Sequence, residues 1–376
     1  MDRTDKLLSD LIALPSVNPA FLPEGDSRAG EQRVADFLAT IAARAGLDIQ
    51  FQKVLPGRSN LLARLVPPGK IRRRILLAPH LDTVPVAHPN QFTPRKKNGR
   101  LYGRGACDTK GSVAAMISAL CELAQSKHRP RETEIIFAGL VDEENAQAGS
   151  RAFVQSGLPA DLAIVGEPTG SKVVTAHKGS LWLRLETRGK SAHGARPELG
   201  RNAVHAMSRI VDTLETDYAL QLGRRRHPLL GRATVNVGTI SGGTQPNIVP
   251  DSCSITIDRR TLPGETESAV RREITALLAR KKLPAKFSSA RLALSSPLET
   301  SASHPLVRLF MKHARQTRPA GVDYFCDASV LSSGGIPSVV FGPGDIAQAH
   351  TADEWIALAS LEQSRRILFQ FLQSLP

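Results

Sequence analysis

Residues 80 to 82 of this chain read His-Leu-Asp at the end of the apolar run LLAPHLDTVPV. Two residues apart in an extended backbone, His80 and Asp82 point to the same side. An imidazole that binds a metal commonly donates its other N–H to a carboxylate, which fixes its tautomer; His80 therefore suits a ligand and Asp82 its partner. The same pair also occurs at strand ends as a plain surface hydrogen bond. Further along, EIIFAGLVDEEN places Asp142, Glu143 and Glu144 in a row after another apolar run. Adjacent carboxylates repel unless a cation offsets their charge. Neighbouring side chains leave an extended chain on opposite sides, so Glu143 and Glu144 are expected to differ in role, with Asp142 supporting the turn. GRGACDTKGS sets Asp108 in a glycine-flanked loop, where a helix N-cap is the competing explanation. AIVGEPT ends an apolar run on Glu167, and AQAHTADEW contributes His350, followed by acids that suit a helix start. Each placement alone has an ordinary explanation. Together they supply nitrogen and oxygen donors without thiolate, which suits zinc, cobalt or manganese. Five ligands with one bridging carboxylate would hold two ions about 3.5–4 Å apart, able to activate a water and polarise a carbonyl.

These residues need a scaffold that brings distant loops to one edge. EQRVADFLATIAARAG places Val34, Phe37, Leu38 and Ile41 on one helical face and stops at Gly46. Strand-like runs follow in LDIQFQKV, NLLARLV and RRILLAPHLDTV, then a helix in VAAMISALCELAQS and strands in EIIFAGLV and ADLAIVGE. Short apolar strands alternating with helices predict an α/β domain with a largely parallel sheet covered on both faces. Loops at the carboxyl ends of such strands are where these sheets assemble sites. Between residues 178 and 292 the pattern changes to strand, helix, strand, strand, helix, strand: SLWLRLETRG, NAVHAMSRIVDTLETDYA, ATVNVGTI, SCSITIDRRT, ESAVRREITALLARKK and AKFSSARLAL. That order predicts an inserted ferredoxin-like α+β (β-α-β-β-α-β) domain. Residues 1–177 and 293–376 would then form one discontinuous catalytic domain.

Composition limits the alternatives. A hydrophobic share of 41% over 376 residues supports sizeable cores and two domains rather than disorder. No apolar run reaches the roughly 18 residues of a membrane span, and the start, MDRTDKLLSDLIALPSV, lacks the apolar block of a secretory signal. The expectation is a cytoplasmic protein with no membrane partner. Cys107, Cys121, Cys253 and Cys326 are scattered without a CxxC pair, which argues for buried free thiols rather than a disulfide framework. The net charge of +14 invites a nucleic-acid reading. Its basic residues, however, fall in short separate clusters at 72–74, 95–97, 224–226 and 280–282. No aromatics interleave with them as a base-stacking platform requires. The charge fits a solvated surface that attracts anionic substrates. A basic nucleic-acid-binding protein and a non-catalytic binding protein are the readings from other classes.

The ensemble HLDTVP, GRGACDTKGS, DEENAQAGS, GEPT, SAHGARPELGRNA and AHTADEW resembles the M20-family metallohydrolases, the group of acetylornithine deacetylases, succinyl-diaminopimelate desuccinylases, aminoacylases and glutamate carboxypeptidases. The motifs follow family order over nearly the whole chain. The resemblance implies that His80, Asp108 and Glu167 bind one divalent cation and that Glu144, Asp108 and His350 bind the other, with Asp108 bridging and zinc the first choice of metal. It makes Glu143 the general base. Thr109 and Ser112 stand where Met and Gly are frequent in the family; neither replaces a ligand, so only loop packing is put in doubt.

The resemblance also reaches the inserted domain. His193 in GKSAHGARP matches a histidine that family members present to a neighbouring subunit, where it stabilises an oxyanion; a homodimer is implied. Asn247 in TQPNIVPD and Arg260 in IDRRTLPGE match positions that hold substrate, and a guanidinium suits a substrate carboxylate. Arg259 is the adjacent competitor. Gly342 and Gly344 of FGPG could offer backbone N–H groups to that carboxylate, or could simply make a turn. The implied reaction is hydrolysis of an N-acyl amino acid or small peptide, acetylornithine deacetylase-like, with carboxypeptidase, dipeptidase or desuccinylase activity as the alternatives.

Overall fold

The computed structural model describes residues 4–290 and 295–376. Two compact units emerge: the first runs through Thr175 and resumes at Thr300–Ala320 and Cys326–Pro376, and the second comprises Ala176–Glu299 with Gly321–Phe325. The return of Gly321–Phe325 to the second unit has no signal in the sequence pattern. The expected junction at 292/293, and the last four residues of the strand expected in AKFSSARLAL, lie outside the described residues.

The first unit is built on a mixed sheet. Strands β1 (Asp48–Leu55), β2 (Arg58–Leu65), β3 (Arg73–Ala78), β4 (Thr133–Gly139) and β5 (Leu162–Val165) are joined by β6 (Val174–His177) and a late strand, Ser338–Val340, in the order β1-β2-β4-β3-β5-(Ser338–Val340)-β6. Parallel pairing is confined to the centre: β3 with β4, β3 with β5, and β5 with Ser338–Val340. The outer pairs are antiparallel. The largely parallel sheet expected from sequence is thus a parallel core with antiparallel flanks. A physical cause is the two-residue connection Pro56-Gly57, with Gly57 at φ 67°, which can close only a hairpin.

Both faces of the central strands are dry. Ile75, Leu77, Ile135 and Phe137 join the main core cluster, while the alternating Leu76, Ile136 and Ala138 are also fully buried. The helix Lys110–Ala124 is buried nearly all round, and Phe310, Phe341 and Phe371 stack with centroids 4.8 and 4.7 Å apart. Each such ring contributes on the order of 2–3 kcal/mol of burial.

Register matters most for function. Ile75, Leu76 and Leu77 lie level with Ile135, Ile136 and Phe137, and Ala78 lies level with Val165. The level continues past the strands, where Leu81 N–H donates to Leu140 O at 2.8 Å and Gly166 N–H to Ala78 O at 3.3 Å. The carboxyl ends of β3, β4 and β5 therefore finish together, and His80, Asp142–Glu144 and Glu167 emerge side by side. A side chain at Gly166 would meet Pro79 and Ser112 within 3 Å, so only glycine lets this strand end pass the start of the buried helix.

In the second unit, β7 (Gly179–Arg188), β8 (Thr234–Gly242), β9 (Ser252–Thr261) and β10 (Lys286–Ser289) form an antiparallel sheet in the order β8-β9-β7-β10. Strand β9 alternates strictly between buried and half-buried residues, as a sheet with one face on a core should. Helices Ala203–Thr213 and Glu267–Arg280 supply Met207, Ile210, Val270 and Ile274 to that core. The single helix expected over NAVHAMSRIVDTLETDYA is interrupted: a π turn, Leu214–Tyr218, precedes a short helix, Ala219–Gly223. The π turn shifts the helical phase, and Tyr218 is buried, with its hydroxyl accepting from Arg259 Nε at 3.2 Å.

Candidate metal centre

His80 is 3% exposed at the end of β3. Its Nε2 lies 3.1 Å from Asp108 Oδ1 and 3.8 Å from Glu167 Oε1. Asp108 sits in the turn before helix Lys110–Ala124, and its other oxygen, Oδ2, lies 3.2 Å from His350 Nε2. His350 Nε2 is also 3.3 Å from Glu144 Oε2. The two oxygens of Asp108 thus serve different imidazoles, with Glu167 on one side and Glu144 on the other. Ligand atoms of His80, Asp108 and Glu144 lie within 4.8 Å of one another, and Glu144 Oε1 is buried with no hydrogen-bond partner among the described residues.

The electrostatics describe a site suited to cations. Burial lifts the carboxyls of Glu143, Glu144 and Glu167 above the usual range, and the charges of neighbouring carboxylates add to the rise. Burial works against an imidazolium at His80, but the hydrogen bonds to Asp108 and Asp82 outweigh it and raise its pKa well above the ordinary value. The hydrogen bonds that His350 donates to Asp108 and Glu144 raise it to about 10. With oxygen and imidazole donors only, an orphaned carboxylate oxygen and a crowd of acids, the residues fit one or two divalent cations.

Asp82 is fully buried and serves both the His80 ring and the turn beside it. His80 Nδ1 lies 3.0 Å from the Asp82 backbone carbonyl and 3.4 Å from its carboxylate. The carboxylate also accepts the N–H groups of Glu143 at 3.2 Å and Glu144 at 3.1 Å. Asp82 therefore ties the β3 end to the β4 turn while its carboxylate stays beside His80 Nδ1, where spacing placed it.

Asp142 supports that turn as expected. It takes the left-handed conformation, φ 69°, which is uncommon for a residue with a side chain. Its carboxylate accepts from Asn18 Nδ2 and Arg58 Nη1, both at 3.0 Å, and its N–H donates to Glu31 Oε1 at 3.1 Å. Arg58 also pairs with Glu31 at 2.5 Å, and Asn18 donates to Asp82 at 2.7 Å. Asn18, Glu31 and Arg58 carry no motif and lie far away in sequence, so nothing in the chain announced them. Asp327 is another such residue: 1% exposed, it accepts Ser150 Oγ at 2.6 Å and is raised to about 6, chiefly by burial.

Gly342 and Gly344 are not free donors. Gly342 N–H donates to Thr169 Oγ1 at 3.2 Å and Gly344 N–H to Ser360 Oγ at 3.1 Å. A side chain at Gly342 would strike Ser112 Oγ and Glu167 O. Their geometry speaks for close packing behind Glu167, in place of the expected carboxylate cradle.

Within the second unit, His193 pairs with Ile248 across an antiparallel bridge, and Gly194 N–H donates to Asn247 O at 2.7 Å, so His193 and Asn247 are neighbours. Both are exposed. Arg259 is fully buried, bonded to Tyr218, to Glu265 at 2.6 Å and to the Arg260 carbonyl. Arg260 is about one-third exposed and pairs with Asp258 at 3.0 Å. Of the two arginines, only Arg260 keeps a guanidinium within reach of solvent.

The sequence profile of peptidase family M20/M25/M40 matches residues 76–374. An acetylornithine deacetylase of Proteus mirabilis is 31% identical, covering 98% of this chain and 96% of its own length. One from Myxococcus xanthus is 32% identical, with 89% of each chain covered. Among solved structures, aminopeptidase PepT from Bacillus cereus superposes with a TM-score of 0.80 at 21% identity, covering 99% of this chain and 98% of that one. The Bacillus subtilis YXEP protein, described as a dinuclear metal binding peptidase from the M20 family, superposes at 0.71 with 16% identity, covering 99% and 97%. The histidines and carboxylates gathered at the sheet edge fall within a profile match that spans most of the sequence, and the chain belongs to peptidase family M20/M25/M40.

Proposed function

We propose that this chain hydrolyses the amide bond of an N-acyl amino acid, in the manner of an acetylornithine deacetylase, with two divalent cations, zinc foremost. As a member of a metal-dependent hydrolase family it acts on acyl amino acids or peptides. The observation that carries the finer reading is the split of Asp108 between His80 and His350, with Glu167 and Glu144 alongside. That arrangement supports His80, Asp108 and Glu167 holding one cation and Glu144, Asp108 and His350 the other. Cations bound there supply Lewis acidity, polarising the scissile carbonyl and lowering the pKa of water.

The rest belongs to the chain's own residues. Glu143, half-buried and not committed to a ligand role, takes the proton of the attacking water and passes it to the leaving amine; its raised pKa suits a group that must hold a proton between steps. Asp82 fixes the Glu143–Glu144 turn by its two backbone bonds. His193 donates to the developing oxyanion in the site of a second copy, within a homodimer, and Arg260 with Asn247 holds the substrate carboxylate. Substrate choice is supported by the bacterial acetylornithine deacetylases at 31% and 32% identity.

The test is a screen of the metal-loaded protein over N-acetylated amino acids, N-succinylated amino acids and dipeptides. The highest kcat/KM is expected on an N-acetyl amino acid. Preference for dipeptides or for succinyl substrates would move the chain to another branch of its family, and silence on all three would end the hydrolase reading of this site.

A further inference from the structure

The acids after His350 read as a helix start, yet no helix begins there. Asp353 is exposed, whereas Glu354 is 1% exposed and turned inward. Its Oε1 accepts the N–H groups of Cys107 at 2.8 Å and Asp108 at 2.9 Å. Its Oε2 accepts the Gly105 N–H at 2.9 Å and Arg104 Nη1 at 2.7 Å. A carboxylate has about four acceptor positions, so this one is filled. The Glu354 carbonyl also accepts Gly103 N–H at 3.0 Å. Arg104, itself 3% exposed, sends Nη2 to the Pro85 carbonyl at 3.1 Å, and its N–H goes to Gln91 O at 2.7 Å.

Three segments meet in this cluster: the one that follows His80 and Asp82, the loop ending in Asp108, and the stretch carrying His350. Glu354 bonds to the backbone N–H of Asp108 and sits four residues from His350. We propose that Glu354 is a positioning residue that holds these three ligand-bearing segments in register, so that one buried carboxylate sets both cation positions together. The inference rests on the two-cation reading above and goes beyond it, because it assigns the preorganisation of the site to a residue outside the ligand set. A bridging ligand belongs to both ions, so moving the backbone of Asp108 disturbs both. Loss of a ligand to one ion alone, such as Glu167 or Glu144, has no such symmetry.

The test titrates the metal-free full chain with Co2+, followed by visible absorption, beside far-UV circular dichroism and thermal unfolding. The parent protein is expected to take up two ions. Glu354→Gln keeps the shape but sets an NH2 against two N–H donors, and both binding steps are expected to weaken together by about 10- to 100-fold. Glu354→Asp keeps the charge and cannot reach all four donors; it should fall between the two, and it decides the matter if the glutamine variant does not fold. A simple loop staple would lower the unfolding midpoint and leave the affinity of the folded molecules unchanged. That result, or weakening of one binding step alone, overturns the proposal while the two-cation reading stands. Failure of the parent protein to bind two ions overturns both.

Discussion

The carboxyl edge of the first unit's sheet and the His193 loop of the second unit offer candidate residues of opposite character. At the sheet edge, His80, Asp82, Asp108 and Glu167 are all below a tenth exposed, and backbone or side-chain bonds fix His80, Asp82 and Asp108. In the second unit, His193 and Asn247 stand in solvent, and the His193 ring accepts the Ala195 N–H at Nδ1 at 3.1 Å. Buried charges must be paired or neutralised, so their positions are determined by the fold itself. Exposed side chains keep their rotamer freedom until something binds them. The fold itself therefore places the buried members of the metal centre, whereas His350, His193 and Asn247 are exposed.

Two substitutions press on that contrast. Glu143→Gln should lower kcat by about 10²- to 10⁴-fold, because it removes the proton acceptor without removing a ligand. Metal content should stay at its parent value; equal loss of metal and turnover would mean that Glu143 belongs to the ligand set. His193→Ala should lower kcat by roughly 10²- to 10³-fold, the effect of deleting one oxyanion donor, with metal affinity and unfolding midpoint unmoved. If His193 serves a second copy, mixing this variant with Glu143→Gln restores one complete site per mixed dimer. Random exchange would return roughly a quarter of the parent activity. No recovery on mixing would remove His193 from the neighbouring site.

The contrast also explains what the sequence made legible. Motifs that end apolar runs at glycine or proline, such as HLDTVP and GEPT, pointed to His80, Asp82 and Glu167 because strand ends and ligand chemistry leave local marks. The level finish of β3, β4 and β5 then brings those marks together. Residues that act through long-range hydrogen bonds leave no such mark. Glu354 looks like a surface acid beside Asp353, and Asn18, Glu31 and Arg58 look like nothing in particular, since their meaning lies in partners 60 to 250 residues away or in short turns of a distant loop. The direction of an alternating side chain is local, so spacing places Asp82 beside His80, whereas its bonds to the Glu143 and Glu144 N–H groups are tertiary and leave no local mark. The interrupted helix at Leu214–Tyr218 is similar: the apolar period continues through it, and only the burial of Tyr218 against Arg259 shows why the turn widens.

Arg259 and Arg260 bring the same contrast down to adjacent residues. Arg259 has no exposed surface and holds Glu265, Tyr218 and a backbone carbonyl. Arg259→Met would remove the buried guanidinium's bonds while Glu265 keeps Arg225 at 3.1 Å, and a loss of about 1–3 kcal/mol of stability is expected, visible as a lowered denaturant midpoint. Arg260 pairs with Asp258 where both side chains are about one-third exposed, a bond worth less than about 1 kcal/mol to the fold. Arg260→Met should therefore leave the midpoint nearly unchanged and raise KM by roughly 10-fold or more, as expected when a charged hydrogen bond to substrate is lost, with little change in kcat. Its effect on turnover is the smallest of the three, and it is the most discriminating. A variant that unfolds like Arg259→Met would make Arg260 structural as well, and one that leaves KM untouched would remove the only solvent-facing guanidinium of this pair from the substrate site.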